Sequence, residues 1–84
     1  MFVYDVHGYY SVEHYKKACK YIETLFENEA IVKEKELIDV DSSHIQIYLT
    51  PKGTVKIINA DDFEGGVWVF SDFEISNPEW KRFK

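Results

Sequence analysis

Apolar positions along this chain repeat with two periods, and the change of period marks the elements. Residues 2–6 (Phe-Val-Tyr-Asp-Val) are a run of β-formers that predicts a short strand, interrupted by His7-Gly8. From Val12 the period becomes helical. Val12, Tyr15, Ala18, Cys19, Ile22, Leu25 and Phe26 share one stripe, while Glu13, Lys16, Lys17, Lys20, Glu23 and Glu27 fall mostly opposite. Ser11 suits the N-cap, Glu13 suits the positive end of the helix dipole and pairs with Lys17, and Asn28 can close the helix.

Period two then takes over. A strand is expected at about 34–41, where Leu37-Ile38-Asp39-Val40 follows a charged run, and Asp41-Ser42-Ser43 turns the chain. His44 to Thr50 alternates cleanly, Pro51-Lys52-Gly53 reads as a hairpin turn, and Thr54 to Asn59 returns. After a loop from Ala60 to Gly66, Val67 to Ile75 reads as the last strand. Asn77-Pro78-Glu79 starts a short helical turn that Trp80 and Phe83 can dock. The order β-α-β-β-β-β predicts a single α+β domain over residues 1–84. One amphipathic helix packs on an antiparallel sheet of four to five strands, with a short C-terminal helical turn.

Alternation also assigns faces. Directing the purer aliphatic sets towards the helix puts Ile45, Ile47, Leu49, Val55, Ile57, Val67, Val69, Phe73 and Ile75 inside. The opposite face then shows Gln46, Tyr48, Lys56, Ile58, Trp68, Phe70, Asp72 and Glu74. That face is too apolar for a plain solvated sheet, and Tyr48, Ile58, Trp68 and Phe70 make a patch of a size that marks a contact surface. It is buried either by a bound partner, by the C-terminal turn through Trp80 and Phe83, or by a second copy in a homodimer.

Charge sharpens the choice of partner. Between Ile57 and Trp80 there are six acids (Asp61, Asp62, Glu64, Asp72, Glu74 and Glu79) and no Lys or Arg. The rest of the chain carries nine acids and ten bases, so the net −5 is concentrated there, among Phe63, Trp68, Phe70, Phe73 and Trp80. Acids beside exposed rings suit a protein partner with a basic surface. Scattered bases in a net negative chain argue against direct binding to nucleic acid through its phosphates.

No chemical signature competes with that reading. His7, His14 and His44 lack metal-site spacing, and Cys19 lies alone on the apolar stripe, as a small core residue would. Asp39, Asp41 and Ser43 lack the glycine and terminal Glu of a calcium loop; Asp61-Asp62-x-Glu64 is a denser acidic set that reads as a solvated loop; and Gly65-Gly66 is followed by no phosphate-binding Lys-Ser/Thr. No motif calls for a cofactor or an enzyme. A lone cysteine, no run of about 18 apolar residues and an N-terminus without a signal-peptide pattern lead to the expectation of a cytoplasmic protein. Nine Lys to one Arg, with abundant Ile, Tyr and Phe, suggests AT-rich coding, as in a low-GC bacterium or phage.

These readings converge on a small acidic protein-binding module. Its partner-binding residues would be Tyr48, Asp61, Asp62, Glu64, Trp68, Phe70, Asp72 and Glu74. In its most concrete form it is an inhibitor or regulator occupying a basic, nucleic-acid-binding site on its target. The alternatives are a ligand-binding domain or enzyme with its site at a homodimer interface, and a structural subunit of a larger assembly.

Overall fold

The computed structural model describes residues 1–34, 37–38, 44–61 and 65–84. Its elements run β1 (Phe2–His7), α1 (Val12–Leu25), β2 (Val32–Lys33), β3 (Leu37–Ile38), β4 (His44–Thr50), β5 (Gly53–Ala60), β6 (Gly66–Ser71) and β7 (Lys81–Arg82). One antiparallel sheet takes the order β2-β4-β5-β6-β1-β7, with β3 pairing β4 beyond β2. Helix α1 crosses one face of it. The α+β class therefore stands as expected, with more strands than four to five, because β2, β3 and β7 are two-residue bridges.

The helix starts where its cap predicts. Ser11 is extended, and its hydroxyl accepts the His14 backbone N–H at 3.2 Å. Tyr15, Ala18, Ile22 and Phe26 of the apolar stripe are buried, Cys19 is half-buried, and Val12 and Leu25 at the two ends of the stripe are exposed. Regular helix stops at Leu25, short of Asn28; the Phe26 N–H reaches back to the Ile22 carbonyl and the chain turns away.

The β4–β5 hairpin forms around Pro51-Lys52, with Thr50 opposite Gly53. Gly53 has φ +134°, and a Cβ there would lie 2.7 Å from that of Asp72, so both conformation and space require glycine. This register pairs Tyr48 with Val55 and Gln46 with Ile57, and residues directly opposite share a face. Val55, Ile57, Val67 and Val69 do point to the helix, so Gln46 and Tyr48 point there too. Ile45, Ile47 and Leu49 consequently face outwards, the reverse of the expected phase for β4.

The last strand is shorter than the expected 67–75. It ends at Ser71, whose hydroxyl accepts the Phe73 N–H and donates to the Phe73 carbonyl. The chain then folds under the sheet on the helix side. Phe73 meets Phe26 edge to face at 5.7 Å, Ile75 enters the core, and Trp80 packs on Tyr21 and Tyr4. Asn77 caps one turn, accepting the Glu79 N–H at 2.9 Å. Instead of continuing as helix, the tail then pairs with β1 as β7. The expected strand at 34–41 lies mostly outside the described residues.

Candidate functional site

Among the described residues, one face of the sheet carries no second layer. Cross-strand pairing assembles it: Ile45, Ile47 and Leu49 from β4, Lys56 and Ile58 from β5, and Trp68 and Phe70 from β6. Val32 extends it beside Leu49, and Val3 stands opposite Phe70. Val3 is buried yet stands apart from the helix-side core cluster, which marks it as packing on this outer side. Most of the apolar side chains here are half-buried by one another, whereas Leu49 is 40% and Val32 59% exposed. Tail cover is slight: Phe83 meets Trp68 edge to face at 5.6 Å and is itself 70% exposed. Trp80, the other candidate for covering this patch, lies on the helix side instead.

The expected partner-binding residues divide. Trp68 and Phe70 stand on the outer face, with the exposed Asp72 at its rim. Asp72 is tied into the fold: its carboxylate accepts the Thr54 N–H at 2.9 Å while its own N–H donates to the Thr54 carbonyl, clamping β5 to the end of β6. Asp61 is exposed at the opposite end of β6, about 20 Å away for a six-residue strand. Glu74 is ion-paired with Arg82 at 2.9 Å. Arg82 lies opposite the core residue Tyr4 and over the Phe2 ring, which places that pair on the helix side of the sheet. Asp62 and Glu64 lie outside the described residues, as does the Asp39-Asp41-Ser43 set.

Tyr48 requires a correction. It is fully buried on the helix side, where its hydroxyl donates to a Glu23 carboxylate oxygen at 2.5 Å and approaches the Cys19 carbonyl at 3.4 Å. Burial, reinforced by the Glu23 hydrogen bond, holds its phenol well above the ordinary tyrosine range. Tyr48 is a strut between sheet and helix, not a partner-facing ring.

The sequence places Ile45, Ile47 and Leu49 inside because Pro51-Lys52-Gly53 reads as a three-residue turn, whereas the hairpin turns on Pro51-Lys52 alone. A two-residue hairpin turn pairs even-numbered positions with odd ones, so Val55 and Ile57 facing the helix entail Tyr48 and Gln46 facing it as well. The histidines also make ring contacts that spacing alone does not reveal. His7 and His14 stack at 3.8 Å, with the Ser11 hydroxyl 2.7 Å from His14 Nδ1, while His44 sits between Tyr10 and Tyr15.

No helix among the described residues is long and apolar enough to cross a membrane. Comparison of the chain with protein-family models, with curated proteins and with solved structures finds no match.

Proposed function

We propose that this chain is a small protein-binding module and that the outer sheet face is its contact surface. The observation that carries the reading is continuity. Ile45, Ile47, Leu49, Ile58, Trp68 and Phe70 form one apolar face across three adjacent strands, with no second layer over it among the described residues. An apolar face of this extent on a sheet already covered on its other side is a surface awaiting a partner.

A different protein fits it better than a second copy. The exposed Lys56 stands mid-face, paired with Ile47 on one side and Phe70 on the other. In a symmetric face-to-face dimer centred there, Lys56 would oppose itself. A suitable partner carries a carboxylate opposite Lys56, apolar groups around it, and basic groups towards the rim acids Asp61 and Asp72. The net charge of −5 would steer such a basic protein into contact. The narrower form, an inhibitor filling a nucleic-acid-binding site, draws support from net charge alone, since the described acids are dispersed.

The test pairs light scattering on the pure protein with capture of a partner by wild type and by an Ile47→Lys/Phe70→Lys variant of unchanged circular dichroism. A monomer whose partner is lost in the variant is the expected result. A partner retained by the variant, or a wild-type dimer that the variant dissociates, would overturn it.

A further inference from the structure

A cleft of about 700 Å³ lies between α1 and the inner face of the sheet. Tyr15, Lys16, Lys20, His44, Gln46 and Asn59 line it. It faces away from the outer sheet surface and is independent of the protein-binding reading.

Its floor holds a donor without an acceptor. Asn59 is completely buried, and its Oδ1 accepts the Ser11 backbone N–H at 2.9 Å. A backbone N–H can only donate, so this bond fixes the amide orientation and leaves Nδ2 committed as the donor. Nδ2 has no hydrogen-bond partner among the described residues, and neither does the buried His44 Nδ1 beside it. Buried polar groups are rarely left so, and two in one cleft indicate that something polar fills it.

The rim indicates the sign of the occupant. Glu23, the one acid among the described lining residues, is engaged by the Tyr48 hydroxyl and by Lys33 at 3.4 Å. Lys16 and Lys20 lie on the same helical stripe and form no ion pair among the described residues. The cleft is thus locally positive on a chain of net −5. Its volume lies within the range of sites for small organic ligands.

We propose that this cleft binds a small organic anion, a carboxylate or a phosphate ester, with its charged group at Lys16 and Lys20 and an acceptor oxygen at Asn59 Nδ2. Charge-assisted hydrogen bonds from the lysines supply the attraction, and the orphaned amide fixes the orientation.

Titrating ¹⁵N-labelled protein with succinate, and separately with inorganic phosphate, tests this against sodium chloride at matched ionic strength. The Asn59 side-chain amide should shift saturably with one of the anions and not with chloride, and the anion that acts identifies the class. Asn59→Asp keeps the acceptor for Ser11 while replacing the donor by a carboxylate, and should weaken binding by about tenfold or more. Lys16→Ala/Lys20→Ala, altered only at the exposed rim, should do the same should Asn59→Asp fail to fold. Shifts reproduced by chloride, wild-type affinity in these variants, or an Asn59 amide that exchanges magnetisation with one long-lived water and responds to neither anion would overturn the proposal.

Discussion

The two faces of this sheet invert the usual expectation of which side chains belong where. The face under the helix carries Val55, Ile57, Val67 and Val69, but also the buried polar residues Gln46, Asn59 and Ser71. The face that no second layer covers among the described residues carries Ile45, Ile47, Leu49, Ile58, Trp68 and Phe70. Each inner polar residue makes a specific hydrogen bond. Gln46 donates to the Glu34 carbonyl, Asn59 anchors the start of the helix, and Ser71 ends β6. The outer aliphatic residues serve no such internal purpose. Polarity inside thus follows from hydrogen-bond needs, and the apolar outer face is the observation on which the proposed contact surface rests.

The largest expected contrast is in stability. Ile57→Ala, deep in the inner face, should cost about 2–5 kcal/mol in chemical denaturation. Ile47→Ala, half-buried on the outer face, should cost no more than about 1.5 kcal/mol while weakening partner binding. Equal losses would erase the distinction between a core face and a contact face.

Smaller effects refine the inner face. Tyr48→Phe should cost about 1 kcal/mol, because Glu23 keeps access to water once the hydroxyl is gone. It should also change the alkaline limb of the stability profile. The folded phenol is held above its unfolded value of about 10, so its contribution is fully present below that pH and is lost as pH rises beyond it. Removing the hydroxyl should flatten that decline in stability measured by denaturation from pH 9 to 11. Ser11→Ala should cost about 1 kcal/mol by exposing the first turn of the helix, seen as faster amide exchange at His14.

Smallest of all, Glu74→Gln breaks an exposed ion pair and should shift stability by about 0.5 kcal/mol, less in high salt. A larger loss would show that the inner layer depends on its margin as well as on its buried residues.

Much of this was legible from the chain. The helix, the β4–β5 hairpin and the meander follow from periodicity and turn chemistry, because each is local: Ser11 caps its own helix, and Gly53 turns its own hairpin. What was not legible is set by distant partners. Alternation gives a period and no sign, and in β4 both sets of side chains can be buried, one as aliphatics and the other through the reach of Gln46 and Tyr48 to the helix side. The C-terminal residues behave likewise. Their helical start is local, but β1 offers an unpaired ladder, and Lys81–Arg82 take it. The orphaned amide of Asn59 belongs to the same class, since only the fold brings Ser11 to it across 48 residues of sequence.

The two-residue strands at the margins bear on how the molecule behaves in a crowd. On one side β7 runs along β1, and the Val3 N–H reaches the Lys84 carbonyl at 2.7 Å; on the other, β2 and β3 hook over the two ends of β4, and the Glu34 N–H takes the Ile47 carbonyl between them. The longer strands therefore offer little free backbone to an incoming chain, and the outermost pieces are short and carry the exposed Lys33, Lys81 and Arg82. Growth by adding strand to strand is blunted at both margins. Backbone pairing of the endless kind that builds fibrils is thereby disfavoured, and the outer face is left to contact through its side chains.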